Sequence, residues 1–169
     1  GIWGSLVSET ANVKLPLMPV EHPLLFFGPW DALEGPGKGI VSPVFRDQGN
    51  SAYLRDTGDP TTAEGGQIEW GYYEEKDPRL VHPKDLLEKG ESHWSPSQRD
   101  LEMDQIMEPL ERAIELTPIL GELGWNERHS FNGLLQVTAD GGPSIGESPN
   151  TRGLWYAEAV WVKDAPGIA

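Results

Sequence analysis

The 169-residue chain carries 27 acidic against 13 basic residues, a net charge of −14, which repels a phosphate backbone and argues against nucleic acid as a partner. With 37% hydrophobic residues, seven tryptophans, four tyrosines and four phenylalanines, it has the apolar surface for a folded core, and its length fits one domain better than two complete ones. It has no cysteine, which excludes disulfides, thiolate nucleophiles and Cys-based metal sites, and no apolar run approaches the roughly 18 residues of a membrane span. The first ordered signal along the chain is KLPLMPVEHPLLFFG, residues 14 to 28, apolar and interrupted by Pro16, Pro19 and Pro23. Proline removes ladder donors, so the stretch is predicted as an edge strand or two short extended pieces rather than a helix.

PWDALEGPGKG, residues 29 to 39, is a loop by its glycine and proline content. IVSPVFRD and SAYLRDT then form a hairpin candidate around Gln48, Gly49 and Asn50, with Ala52 and Leu54 alternating against Tyr53 and Arg55. GQIEWGYYEE, residues 66 to 75, reads as a third strand, and residues 76 to 94, with mixed charge and two prolines, as an exposed connection. Ser95, Pro96 and Gln98 have the pattern of a helix start: an N-cap, a proline at the first helical position and the far side of a capping box. Leu101, Ile106, Leu110, Ala113 and Ile114 supply a helical apolar stripe. Pro109 is expected to divide it into two helices, the second ended by Gly121 and Gly124. HSFNGLLQVT, a glycine turn and GLWYAEAVWV return the chain to strands. The fold class is therefore α+β with a mostly antiparallel sheet.

Histidine is the natural proton carrier near neutrality, and the candidates are His22, His82, His93 and His129. His22 stands in an extended, proline-stiffened stretch that fixes its position; a structural or surface histidine is the more ordinary role. Tyr53, flanked by Arg46 and Arg55, offers a phenol hydroxyl with positive charge nearby, although a strand tyrosine usually packs. The two arginines suit a substrate carboxylate, and pairing with the abundant acids is the competing use. No His-x-x-x-His pair is present, so no metal site is expected. The chain also lacks G-x-G-x-x-G and a P-loop.

GIWG at 1 to 4, PLMPVEH at 16 to 22, PVFRDQGNSAYLRDTGD at 43 to 59, SFNGLLQVTADGGPSIGES at 130 to 148 and GLWYAEAVWVKDAPGIA at 153 to 169 together resemble the dimethylglycine oxidase and sarcosine dehydrogenase family. These are FAD-dependent amine oxidoreductases of the D-amino-acid-oxidase superfamily. The resemblance spans nearly the whole chain and is most specific in the last forty residues. It implies a substrate domain, a large sheet with helices on one side, inserted into a split FAD-binding domain. Residues 1–12 would end the first FAD stretch, 13–127 form the substrate domain, and 128–169 return to the FAD domain, cut off as a flavin-facing helix opens near Gly167.

Carried over position by position, the resemblance makes His22 and Tyr53 the catalytic residues. Tyr53, Val160, Trp161, Val162 and Lys163 become flavin contacts, and Arg46 and Arg55 are assigned to the substrate. The reaction implied is hydride transfer from an N-methyl amino acid to FAD, with His22 as the base that keeps the amine neutral and Tyr53 orienting it or the substrate. Tetrahydrofolate would enter only through separate domains. The FAD-binding half would come from the same chain or from a separate subunit, and this segment alone would be inactive and prone to self-association through uncovered edges. No membrane partner is expected, and the reading is a soluble protein of the cytoplasm, or of the mitochondrial matrix in a eukaryote. A free-standing, non-catalytic binding or regulatory subunit is the alternative from another class, and a structural domain with lost chemistry a third.

Overall fold

The structure, a computed structural model, describes residues 1–33, 42–58, 65–74, 76–85 and 98–160. Among the described residues, α-helices α1 (Gly4–Thr10), α2 (Met103–Leu116) and α3 (Ile119–Leu123) accompany eight strands. These are β1 (Leu17–Phe27), β2 (Phe45–Asp47), β3 (Ala52–Asp56), β4 (Ile68–Tyr72), β5 (Gln98–Arg99), β6 (Phe131–Thr138), β7 (Ser144–Glu147) and β8 (Trp155–Glu158). The first six form one sheet in the order β2-β3-β4-β1-β6-β5, and β7 pairs with β8. This is the α+β class, with antiparallel pairing of β2 with β3, β3 with β4, β4 with β1, and β7 with β8.

The chain divides into two compact units. One draws on Gly1–Glu21, Pro78–Gln98 and Leu134–Ala169. In it, the β7–β8 hairpin is closed by the Ser148 hydroxyl, which accepts from the Asn150 and Thr151 amides at 3.2 and 3.1 Å. The N-terminal amine donates to Glu158 at 2.6 Å. The other unit, His22–Asp77 with Arg99–Gly133, holds the main core. Strand alternation sends Leu25, Phe27, Ala52, Leu54, Ile68 and Trp70 to one face of the sheet. There they meet Ile106, Leu110 and Ala113 of α2 and Leu120 of α3, all fully or nearly fully buried. At about 25 cal/mol per Å² of apolar surface removed from water, this two-layer contact dominates the unit's stability.

Several local expectations are corrected. The 14–28 stretch is not an edge strand or two pieces: β1 is one strand lying between β4 and β6. Its prolines are tolerated because the ladder to β4 begins at Leu24, just past Pro23. At Pro19 only the carbonyl is used, accepting from the Val81 amide at 2.9 Å. That bond, with a bridge between Val20 and Leu80, also means that residues 76–85 are not simply an exposed connection, and Val81 and Pro83 are buried.

Gln98 does not close a capping box. It lies in β5 next to β6 in the sheet, and the helix starts at Met103 behind Glu102. Here a sheet neighbour outweighs a local capping pattern; Ser95 and Pro96 lie outside the described residues. Pro109 does not divide α2 but sits buried inside it. The missing N–H leaves the Gln105 carbonyl without its usual helical donor, and the burial of Ile106, Leu110 and Ala113 on the same helix outweighs that loss. The break falls instead at Thr117 and Pro118; Gly121 is within α3, while Gly124, at φ 67°, does end it.

Candidate functional site

The register of the second unit aligns Arg46 with Tyr53, Tyr53 with Gly71, and Gly71 with Leu24 across β2, β3, β4 and β1. Because side chains alternate, this row lies on the face opposite Leu54, Trp70 and Leu25. His22, two residues before Leu24, shares that face. Gly71 carries no side chain, and the Tyr53 ring passes over it to bring its Oη within 3.2 Å of His22 Nε2.

The protonation of this pair follows from its partners. His22 Nδ1 lies 2.8 Å from the Tyr72 carbonyl oxygen. A carbonyl only accepts, so Nδ1 carries the proton. In a neutral imidazole Nε2 is then the acceptor, and Tyr53 donates to it. His22 is 8% exposed, and burial pushes its pKa down to about 4, with the Tyr72 carbonyl pulling the other way. Near neutral pH the ring is uncharged. Burial likewise pushes the Tyr53 phenol well above its ordinary value, helped by the charges of Glu69 and Tyr73 and opposed by Arg55 and Arg46. The pair is therefore a neutral donor–acceptor couple, and the lone pairs of Tyr53 Oη not needed for His22 remain open to a third group.

Two more side chains complete the cluster. Tyr73 stacks on His22 with ring centroids 4.4 Å apart and an interplanar angle of 24°. The Arg46 guanidinium lies 5.8 Å from the Tyr53 ring centroid and 6.0 Å from that of Tyr73. Arg46 is exposed and has no ion pair among the described residues. Arg55 is placed differently. It sits opposite Glu69 across β3 and β4 and binds its carboxylate through Nη2 at 2.6 Å and Nε at 3.0 Å.

His22, Tyr53 and Arg46 are thus brought together, while Arg55 is turned to Glu69. Val160 belongs to the other unit and is 41% exposed. Trp161, Val162 and Lys163, and the helix expected from Gly167, lie outside the described residues. Sequence reasoning missed Gly71 and Tyr73. The available signal was the glycine itself, set between Trp70 and Tyr72 in a strand, where glycine marks a close approach of other atoms.

Comparison with known proteins places the chain in a family. The chain is 26% identical over 155 residues to mitochondrial sarcosine dehydrogenase of Mus musculus, and 25% identical over 155 residues to that of Homo sapiens. Each match covers 92% of this chain, which spans 14% of the length of those curated relatives. Among solved structures, iminodiacetate oxidase from Chelativorans sp. BNC1 superposes with a TM-score of 0.62 at 15% identity, covering 97% of this chain and 36% of that one. Glycine oxidase from Geobacillus kaustophilus does so with a TM-score of 0.57 at 18% identity, covering 93% and 33%. These two likenesses are of fold. The family model for FAD dependent oxidoreductases, DAO, matches residues 1–169, and the chain belongs to that family.

Proposed function

We propose that this chain supplies the substrate-facing part of a FAD-dependent oxidoreductase that oxidises an N-methyl amino acid of the sarcosine type. The observation that carries the proposal is the neutral His22–Tyr53 couple with its fixed tautomer, set beside an arginine that has no ion pair among the described residues. The sequence similarity to sarcosine dehydrogenases supports the substrate class. The donor set suits a flavin, because the pair adds no negative charge where a reduced ring would become anionic, and the exposed Arg46 lies on the same side of the sheet. A bound flavin would accept the hydride.

The chain's own residues divide the remaining work. Arg46 offers its guanidinium to the substrate carboxylate, whereas the charge of Arg55 is neutralised by Glu69. The amine donates to Tyr53 Oη. Hydride loss needs the nitrogen lone pair, so a substrate arriving protonated must lose a proton first. The Nε2 lone pair is already taken by Tyr53. A proton leaving the amine therefore reaches His22 through Tyr53, the phenol passing its own proton to Nε2 as it receives one. Burial keeps His22 neutral near pH 7, so Nε2 carries no proton of its own before the transfer.

The test is the rate of flavin reduction by sarcosine in the FAD-loaded holoenzyme. Tyr53→Phe should slow it by about 10²-fold near neutral pH, the scale of one proton-transfer group. It should recover as the pH rises, when solvent alone deprotonates the amine. Wild-type reduction rates across that range would remove Tyr53 from the reaction.

A further inference from the structure

Gly71 is the one residue in the row Arg46, Tyr53, Gly71 and Leu24 that contributes no side chain. Its backbone does not call for glycine, since it is absent from the positive-φ residues. A glycine inside a strand weakens the strand by roughly 0.5 to 1 kcal/mol relative to alanine. Its presence in the middle of β4 therefore has another cause, and the space above it supplies one. A Cβ built on Gly71 would lie 2.2 Å from Tyr53 Cζ and 2.4 Å from both Cε1 and Oη, where carbon atoms in contact stand about 3.5 to 4.0 Å apart.

We propose that Gly71 is a positioning residue for the His22–Tyr53 pair, its missing side chain being the slot through which the tyrosine crosses β4 to place its hydroxyl on His22 Nε2. Two residues on, Tyr73 closes the other side of the imidazole by stacking on it. The slot thus fixes the tyrosine, and Tyr73 with the Tyr72 carbonyl fixes the histidine. The proposal rests on the reading that this pair serves the substrate amine, but the geometry it asserts can be checked without that reading. The atoms a Cβ would strike are at the far end of a side chain, so an added methyl displaces Tyr53 and leaves the sheet in register.

The experiment is Gly71→Ala in the FAD-loaded holoenzyme, alone and combined with Tyr53→Ala. A crystal structure of the single variant should show the Tyr53 Oη to His22 Nε2 separation beyond about 3.5 Å with β4 still paired to β1 and β3. If the bond to His22 persists, the proposal is overturned. With sarcosine as the probe, Gly71→Ala alone should slow flavin reduction by about 10²-fold. In the Tyr53→Ala background it should change the rate by less than about twofold, the limit for mutations acting through one shared group. Equal losses in both backgrounds would mean that Gly71 acts on something other than Tyr53, and would also overturn it. Should the single variant fail to accumulate, the double variant must recover, because it removes the colliding ring; no recovery counts against the slot. A displaced Tyr53 with undiminished flavin reduction upholds the positioning role and sinks the assignment of the pair to the amine.

Discussion

Lowering the pH from 7.5 to 4.5 isolates the contribution of His22, because its folded and unfolded forms bind protons in different ranges. The unfolded imidazole titrates at its ordinary value of 6.5, the folded one at about 4. Between those values the unfolded chain holds a proton that the folded chain refuses, so stability present above 6.5 is lost as the pH falls toward 4. Linkage gives about 2.5 kcal/mol lost from this group between pH 7.5 and 4.5. The 27 acidic residues also respond over this interval, so the measurement is a difference. Urea unfolding of the wild type and of His22→Asn at both pH values should show the wild type losing about 2.5 kcal/mol more than the variant. Asparagine keeps an amide donor near the Tyr72 carbonyl and has no proton to gain. Equal losses in the two proteins, or a His22 resonance titrating near 6.5, would refute both the buried neutral ring and the tautomer argument built on it.

The two arginines should part company on substitution. Arg46→Gln is expected to raise the KM for sarcosine by about tenfold or more with a smaller change in kcat, as loss of a charge-assisted carboxylate contact requires; steady-state kinetics on the holoenzyme decides it. Arg55→Gln should instead leave KM near wild type and lower stability by about 1 to 2 kcal/mol, because buried Glu69 loses a half-exposed partner. Pro109→Ala should raise the unfolding midpoint by the equivalent of about 1 to 2 kcal/mol, since it restores a donor to the Gln105 carbonyl and relieves a proline in a helix interior. A lowered midpoint would mean that packing of the buried ring outweighs the missing hydrogen bond.

The hairpin of β2 and β3, strand β4 and the glycine turn between β6 and β7 were legible because alternation and turn residues act within a few positions of each other. Ala52, Leu54 and Asp56 are buried while Tyr53 and Arg55 are not, as the pattern requires. The errors fall where a distant segment decides. Pro19 and Pro23 forbid an interior strand only if their amides face a neighbour, and that depends on where β4 and residues 79 to 81 happen to meet β1. Gln98 had the spacing of a capping residue, but its place beside β6 in the sheet set an extended backbone. His22 and Tyr53 were reached through resemblance; nothing local joins residues 31 apart.

What joins them is register, and register is held from the other side of the sheet. Leu54, Trp70 and Leu25 form the cross-strand row of the core, and their neighbours Tyr53, Gly71 and Leu24 are carried with them onto the opposite face. A slip of one residue in β3 would turn Tyr53 into the core and Leu54 out of it, exchanging a buried apolar side chain for a phenol without a partner. The penalty is about 1.5 to 3 kcal/mol for exposing the leucine alone, before the stranded hydroxyl is counted. The face that carries His22 and Tyr53 therefore needs few contacts of its own to stay aligned. Leu54, Trp70 and Leu25 hold the strands, Gly71 leaves the opening, and Tyr53 meets His22 as a consequence of packing that never touches it.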